Sequence, residues 1–395
     1  MTPGLRNPVL WLSAGHMVTD IYMPVITSIL PLLIATRGYS YFLAGLLVTT
    51  YNLSSSLTQP VFGWLSDRRG WALPLSYSLL ISAFFIVMFG FVEDYLMLLV
   101  FASLAALGHA TFHPNALAAV SRLCSPGNRG KVTSIFVVGG NIGYAVGPLL
   151  TGLAIWYAGL PGLALLFLPA GIMAFLLWFV VPEECRPTAG RQKPAQDRPA
   201  FPRTPVLTLF GASTLRAWAI FGALAFFPSL LVSRGFSLVQ ANVLITLMLL
   251  AGVGGQIAGG VLSDRYGRKE FVLAGLGLSF PAFVLFMVSG GPVSIIALLF
   301  FGFALWSGFA VTVAMAHEMM PHDVGLASGL LLGVAIGAGG AGVAFTGVLA
   351  DRFSLESALY TLPFLIAGAA VLIYILRYPW KGKPAEEREF SPPAG

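Results

Sequence analysis

Long apolar segments follow one another along almost the whole chain, with short polar stretches between them. A helix needs about 20 apolar residues to cross the hydrocarbon core of a bilayer. Twelve segments fit that requirement, and we predict spans at 8–35, 40–65, 73–92, 95–122, 131–157, 161–181, 206–233, 237–262, 270–289, 292–319, 325–350 and 356–377. The pattern therefore predicts an all-α integral membrane protein with twelve transmembrane helices.

One long polar stretch interrupts this pattern in the middle of the chain. Residues 182–205 are rich in Pro, Arg and Lys, a composition typical of a flexible to semi-extended linker. It separates two sets of six predicted spans. The predicted organisation is an N-terminal six-helix bundle at 1–181, a cytoplasmic linker at 182–205, a C-terminal six-helix bundle at 206–380 and a cytoplasmic tail at 381–395.

The two halves repeat each other. A Gly-x-x-x-Asp-Arg string follows span 2 and span 8, as Gly63–Arg68 and Gly260–Arg265. Spans 5 and 11 also align at a constant offset, because Gly130, Gly147, Thr151 and Gly152 match Gly325, Gly342, Thr346 and Gly347. Two related six-helix halves are typical of parallel-repeat transporters, in which the substrate site lies near the membrane midplane. We therefore expect two pseudo-symmetric bundles.

Charge adds an orientation to this prediction. The chain is 57% hydrophobic and 10% charged, whereas soluble domains are about a quarter charged. With a cytoplasmic N-terminus, 18 of the 22 Lys and Arg residues fall in cytoplasmic segments and three on the opposite side. The basic excess is thus an orientation signal and not a sign of nucleic-acid binding, and both termini are expected in the cytoplasm. Span 1 is expected to be a retained helix, and Cys124 and Cys185 to be free thiols.

Ionisable residues inside the spans are the main candidates for function, since such residues are costly at membrane depth. His16 and Asp20 in span 1 are one helical turn apart, and so are His109 and His113 in span 4, at a similar depth. Asp20 is the only acidic residue deep in any predicted span. We predict that these four residues couple transport to protons. The alternatives are a structural hydrogen-bond cluster that ties spans 1 and 4 together, and a metal site.

Arg216, deep in span 7, is the candidate for binding an anionic substrate group. An ion pair with Asp20 is the alternative. The predicted substrate-binding residues are Arg216, His113, Asn115, Tyr22, Phe112, Trp218, Trp306 and Phe309. The aromatic members could shape an apolar pocket, or simply pack or face lipid, and Asn115 could instead pack against a neighbouring helix.

The loop strings resemble a known signature. Gly260-x-x-x-Asp264-Arg265-x-Gly267-Arg268-Lys269 is similar to the loop motif of the major facilitator superfamily, and the first-half copy has Trp71-Ala72 where two basic residues are usual. Span 5 carries Gly143-x-x-x-Gly147-Pro148-x-x-Thr151-Gly152, which resembles the antiporter motif of that superfamily with Thr151 in place of a Gly. The residues expected to act in gating are Gly63, Asp67, Arg68, Gly260, Asp264, Arg265, Gly267, Arg268, Lys269, Gly143, Gly147 and Pro148.

Each part of these motifs has an expected physical role. Gly allows close helix approach and a tight turn, Asp accepts from donors at a neighbouring helix N-terminus, and Arg stays at the wet interface. In span 5, small residues favour close packing and Pro can kink the helix. The alternatives are an ordinary charged helix end and ordinary helix packing with no bearing on transport.

A narrower resemblance is to the fosmidomycin-resistance family of this superfamily. It is carried by His16-x-x-x-Asp20, Phe112-His113-Pro114, Val138–Gly143 with Gly147–Leu150, and Glu318–Pro321 with Gly325-x-x-Ser328-Gly329. The resemblance implies a twelve-helix, proton-driven inner-membrane exporter of drugs or small organic acids, with spans 1, 4, 7 and 10 lining its cavity. One departure is Asn115, since that family commonly has an acidic residue after His-Pro.

The predicted function is therefore proton-coupled export of small amphipathic or anionic compounds, such as fosmidomycin-like molecules. The expected partners are a small-molecule substrate, protons and the lipid bilayer, with no cofactor and no nucleic acid, and the protein is expected to act as a monomer. Uptake of an organic anion, or of a metal or metal chelate, is the alternative, and a non-transporting membrane sensor is a remote one. No enzyme activity is predicted, because metalloprotease, nucleophile-elbow and phosphate-loop motifs are missing from the sequence.

Overall fold

The computed structural model describes residues 8–123, 129–180, 202–321 and 323–381. Helices are the only regular elements within these ranges, so the all-α class is confirmed. The predicted linker and tail lie almost wholly outside the described residues, as do Cys124 and Cys185.

Sixteen α-helices occur in the described ranges. They are α1 (Pro8–Ile21), α2 (Val25–Arg37), α3 (Tyr41–Arg69), α4 (Leu75–Val87), α5 (Tyr95–Leu123), α6 (Arg129–Ala158), α7 (Phe167–Val180), α8 (Arg203–Ser233), α9 (Leu238–Tyr266), α10 (Arg268–Val288), α11 (Gly291–Ser307), α12 (Phe309–Met319), α13 (Val324–Ser328), α14 (Ala335–Arg352), α15 (Leu355–Leu359) and α16 (Leu362–Ile375). Short 3₁₀ segments at Met88–Gly90 and Leu160–Leu166 and a π-helical segment at Gly329–Val334 extend neighbouring helices.

Ten helical stretches in the described part of the chain are long and apolar enough to cross a membrane. The apolar stretch Leu75–Gly90 is shorter, and α3 is 29 residues long but more polar, since hydroxyl and amide residues recur from Thr49 to Gln59. These stretches overlap the twelve predicted spans. Large apolar side chains such as Trp156 and Phe364 are 75% and 74% exposed, as expected where lipid rather than water surrounds the protein.

Several of the predicted spans are not single continuous α-helices. Span 1 has a break, because α1 ends at Ile21 and α2 begins at Val25. Pro24 has no N–H to donate to the carbonyl of Asp20, and the N–H of Met23 bonds to that carbonyl instead. Span 10 is interrupted at Gly308, span 11 contains the π-helical segment, and span 12 is divided between α15 and α16.

The chain divides by its internal contacts into two compact units. The first comprises Met1–Lys193 with Leu224–Thr246, and the second comprises Pro194–Ala223 with Leu247–Gly395. In the first unit α1 packs against α6 and α7, while α5 packs against α3 and α4. In the second unit α10 packs against α11 and α16, and α14 packs against α15. The domain boundaries predicted from the linker stay a prediction.

Glycines allow α6 to approach α1 very closely in the first unit. A Cβ atom at Gly143 would overlap the carbonyl oxygen of Met17, and one at Gly147 would lie 2.6 Å from the carbonyl oxygen of Ile21. In the second unit a Cβ atom at Gly339 of α14 would lie 2.5 Å from the Cβ of Ala217 in α8. Close packing at a small-residue stripe, expected from the span 5 motif, is therefore found.

Replacing Gly143 by Ala should destabilise the first unit. The added methyl group has no space, so α1 and α6 must separate, which typically costs about 1–3 kcal/mol. The matched control is Gly171→Ala in α7, where nothing lies within 4 Å of the new methyl group. That change should be neutral or stabilising, because Ala is the better helix former. Thermal unfolding of the purified variants measures both, and a midpoint for Gly143→Ala at or above that of the unmodified protein would contradict the close contact.

Candidate functional site

Four ionisable side chains meet between α1 and α5 of the first unit. His16 and Asp20 lie on α1 and His109 and His113 lie on α5. Asp20 Oδ2 lies 3.2 Å from His16 Nε2, and Asp20 Oδ1 lies 3.2 Å from His113 Nε2 and 3.4 Å from His109 Nε2. His16 Nε2 and His113 Nε2 are 3.2 Å apart. We call these four residues the His/Asp cluster; the structure brings together the whole predicted proton-coupling set.

Three side chains of the cluster are largely buried, and the fourth is more exposed. The side chains of His109, His16 and Asp20 are 5%, 9% and 13% exposed, whereas that of His113 is 25% exposed. A carboxylate at this depth has little access to water, and three imidazoles are the groups that face it. His113 is therefore the member through which the surroundings reach the cluster most easily.

The outer ring nitrogens of the three histidines are held by other groups. His16 Nδ1 lies 2.8 Å from the carbonyl oxygen of Phe136 in α6, and His113 Nδ1 lies 3.1 Å from that of His109. His109 Nδ1 lies 3.2 Å from Ser55 Oγ, which accepts a hydrogen bond from Gln59 in α3. These contacts orient the imidazoles so that every Nε2 atom points towards Asp20.

The contribution of α6 to the cluster was not predicted from the sequence. The Phe136 ring stacks on the His16 ring at a centroid distance of 4.2 Å. A Cβ atom at Gly140 would overlap His16 Nε2 and would lie 2.6 Å from Asp20 Oδ2, so only glycine fits at this position. The sequence signal that could have indicated this role is the Gly139-Gly140 pair within the family string of span 5.

The cluster also has atoms that could hold a divalent cation. His16, Asp20 and His113 each offer one ligand atom, and these atoms lie within 4.8 Å of one another. Imidazole nitrogen and carboxylate oxygen are ligands that zinc accepts, and donation of the second ring nitrogen to a carbonyl is common in histidines that bind metal. Protons and a metal ion are therefore the two kinds of cation that this arrangement can take up.

Arg216, on α8, is a buried cation of the second unit. Its side chain donates from Nη2 to Thr312 Oγ1 at 3.0 Å and lies over the Phe309 ring at 5.6 Å. Arg216 is 5% exposed, and its Nε and Nη1 atoms have no hydrogen-bond partner among the described residues. Asp20, the alternative partner considered from the sequence, lies against the three histidines. Arg216 thus keeps donor capacity for an anion.

The other predicted substrate-binding residues are mostly packed in the fold. Tyr22 is buried and donates to the carbonyl of Leu166, and Phe112 and Trp306 are buried as well. Trp218 and Phe309 are half-buried, with Trp218 Nε1 donating to Thr346. Asn115 is buried and donates to the carbonyl of Leu73, which is the packing alternative that the sequence left open. Their role in binding substrate stays a prediction.

The loop motif of the second half forms a network with the C-terminal segment. Gly267 has φ +103°, which favours glycine and permits the turn between α9 and α10. The side chain of Arg268 pairs with Glu318 at 2.6 Å and with Asp264 at 3.4 Å.

The C-terminal segment contributes Tyr378 to this network, and its hydroxyl bonds to Glu318. Burial raises the pKa of that hydroxyl, and the Glu318 carboxylate adds to the shift. Two further basic residues take part: Lys269 donates to the carbonyl of Leu376 over the Trp380 ring, and Lys381 donates to the carbonyls of Asp264 and Arg265.

The first glycine of each loop motif does not have the expected role. Close helix approach was expected at Gly63 and Gly260, and this expectation is wrong. A Cβ atom at Gly63 would make only an ordinary contact with Pro114 at 3.9 Å, and no described atom lies within 4 Å of one at Gly260. In the first-half copy, Asp67 and Arg68 lie in the last turn of α3 and the turn itself is made by Gly70, at φ +62°. Pro148 lies inside α6, as expected.

Comparison with known proteins agrees with this architecture. A family model described as the Major Facilitator Superfamily matches residues 10–310 and 209–394. The fosmidomycin resistance protein of Escherichia coli (strain K12) is 30% identical over 381 residues, which are 92% of this chain and 91% of that protein. The uncharacterized MFS-type transporter YfnC of Bacillus subtilis (strain 168) is 30% identical over 364 residues, 89% of this chain and 88% of that protein.

Solved structures share the fold at low sequence identity. A bacterial homologue of the human lysosomal transporter Spinster has a TM-score of 0.79 at 17% identity, over 95% of this chain and 97% of that chain. The nucleoside transporter NupG has a TM-score of 0.75 at 13% identity, over 94% of this chain and 98% of that chain. With the family match over most of its length, this multi-pass membrane chain belongs to the major facilitator superfamily, whose members are transporters of small molecules and not enzymes.

Proposed function

We propose that this protein is a proton-coupled antiporter that exports small amphipathic or anionic organic compounds, such as fosmidomycin-like molecules. It acts as a monomer by alternating access in the inner membrane, with both termini in the cytoplasm. The observation that carries the proposal is the His/Asp cluster, in which one buried carboxylate faces three imidazoles. Imidazole is the side chain that exchanges protons near neutral pH.

The cluster supports coupling because its charge depends on its protons. Uptake or loss of one proton changes the net charge of a site with little access to water, and such a change is costly unless the surroundings respond. A transporter can use this dependence if the protonated and deprotonated forms favour different conformations. Export fits the 30% identity to the fosmidomycin resistance protein, and the loop network around Arg268 and Glu318 is the proposed gating element.

Arg216 supports the anionic substrate class. Its guanidinium is buried, bonded to Thr312 through Nη2 and otherwise without a hydrogen-bond partner among the described residues. A guanidinium binds carboxylate, phosphate and phosphonate groups through paired N–H donors. The half-buried rings of Phe309 and Trp218 lie in the same unit and supply apolar surface for the organic part of such a molecule.

Replacing Asp20 by Asn should abolish efflux driven by a pH gradient while the protein still inserts. The uncharged amide removes the negative charge that favours a protonated cluster. Uptake of labelled fosmidomycin into inverted vesicles with an imposed pH gradient measures this, and the signal should fall to that of vesicles without the protein. The matched control is Asp94→Asn, since Asp94 is exposed and caps α5, a role that Asn also fills. Full gradient-driven transport by Asp20→Asn would reject the cluster as the coupling site.

Replacing Arg216 by Gln should weaken transport of anionic compounds selectively. Loss of a charge-assisted hydrogen-bond pair costs about 1.5–3 kcal/mol, so the half-saturating concentration should rise about 10- to 150-fold. The change Arg352→Gln is the control, because Arg352 is exposed at the end of α14. Kinetics with a phosphonate and with an uncharged analogue separate the effects, and an equal loss for both compounds would argue against an anion site at Arg216.

Transport of a metal or metal chelate is the second candidate, favoured by the ligand atoms of His16, Asp20 and His113. If it is correct, protein purified without a polyhistidine tag or chelator should contain about one transition-metal ion per chain, and His113→Gln should remove it. The antiporter proposal predicts no bound metal in either protein. Elemental analysis of both preparations decides between the two.

A further inference from the structure

Which group in the His/Asp cluster carries the exchangeable proton can be argued from the hydrogen bonds around it. A carbonyl oxygen can only accept a hydrogen bond, so the ring nitrogen that faces it must carry a hydrogen. His16 Nδ1 faces the carbonyl of Phe136 and His113 Nδ1 faces the carbonyl of His109. In their neutral forms both imidazoles therefore have a bare lone pair at Nε2.

His109 differs because its outer nitrogen faces a hydroxyl group. Gln59 donates to Ser55 Oγ, which leaves the Ser55 hydroxyl hydrogen free to donate to His109 Nδ1. Neutral His109 then carries its hydrogen on Nε2, which lies 3.4 Å from Asp20 Oδ1. This histidine can serve Asp20 as a donor without taking up an additional proton.

His16 and His113 cannot donate to Asp20 in their neutral forms. With bare Nε2 lone pairs, His16 and His113 would present acceptors to each other and to the Asp20 carboxylate, all at 3.2 Å. Acceptors that face one another at this distance repel, and a largely buried site screens that repulsion poorly. One added proton turns the contact between the two Nε2 atoms into a hydrogen bond and gives Asp20 a cationic partner. A second proton would place two imidazolium rings in contact.

We propose that the coupling proton resides on the His16–His113 imidazole pair, one proton per chain, while Asp20 stays ionised as its counter-ion. With this proton the cluster is neutral overall, the favoured state for a buried site. His113, the more exposed of the two, exchanges the proton with the surroundings. The inference rests on the proposed proton coupling and adds the identity of the carrier.

Within the described part of the chain, two further titratable side chains interact with Asp20, namely Tyr51 of α3 and Tyr144 of α6. Both are phenols, a class of side chain that ordinarily loses its proton about three pH units above imidazole. Of the two other helices that pack on α1, α7 has no titratable residue, and Tyr77 of α4 is exposed and packs on Trp178. The pair is therefore the group whose protonation changes.

Infrared difference spectroscopy can identify which group takes up the proton, and it is applied to the whole protein without substrate. Spectra of the chelator-treated protein in lipid are compared between alkaline and mildly acidic buffer. We expect imidazole ring bands to change and no carboxylic-acid C=O band to be assigned to Asp20. A carboxylic-acid band that vanishes in Asp20→Asn would overturn the proposal, and so would a stoichiometric metal ion in protein prepared without chelator.

Histidine variants supply the second readout. Proton movement in vesicles on addition of fosmidomycin should be lost in His16→Gln and in His113→Gln, and thermal unfolding of the same variants checks that they keep their fold. His109→Gln retains a donor towards Asp20 and should still move protons, at a reduced rate. The control His317→Gln alters a histidine of the second unit that bonds to Ser328. Proton movement that persists without His113 would overturn the pair as carrier.

The outcomes separate the two proposals. If Asp20→Asn abolishes coupled efflux but a carboxylic-acid band appears, the antiporter stands and the carrier is Asp20. If the imidazole bands change with pH but none of the proteins moves protons with substrate, the pair binds protons and the proposed coupling fails.

Discussion

A carboxylate enclosed by apolar helices must find its counter-charge within a few ångströms, because lipid supplies none and water has little access. Asp20 meets this requirement with three imidazoles from α1 and α5, at 3.2–3.4 Å. The rest of the first unit is arranged so that these rings can reach it. The packing of α5 against α1 therefore has an electrostatic cause as well as an apolar one, and any change in the charge of the cluster acts directly on that contact.

The surrounding helices supply what the four side chains cannot supply themselves. The carbonyl and the ring of Phe136 fix the orientation of His16, and Gly140 allows α6 to pass directly over the ring and the carboxylate. Pro24 ends the continuous helix one turn beyond Asp20, so the most polar part of α1 lies beside a break in its backbone. A site with its orienting groups on a separate helix can respond when α1 and α6 move relative to each other.

Hydropathy and residue spacing were sufficient for the helical class and the span positions, because both depend on one-dimensional periodicity. The convergence of the four ionisable residues also needed the family resemblance, which implies that spans 1 and 4 line one cavity. The orienting carbonyl of Phe136 could not be predicted, since every residue has a carbonyl and only tertiary packing selects one. Gly139 and Gly140 look alike in the sequence, although only Gly140 faces the cluster. The position of Asn115 could have been predicted from helix geometry. It follows His113 by two residues and so lies about 200° around the helix from it. It therefore faces a different neighbour, the loop at Leu73.

The two units treat their buried charges in different ways. Asp20 is surrounded by groups that can themselves gain or lose a proton, so its neutralisation depends on pH. Among the described residues Arg216 has one hydroxyl partner and a ring beside it, and a guanidinium keeps its charge at physiological pH, so an anion is the group that we propose as its further partner. In the proposed mechanism one site responds to protons and the other to the charge of a bound molecule. A transporter whose conformations differ in access to these sites would exchange the two cargoes without leaving a buried charge uncompensated.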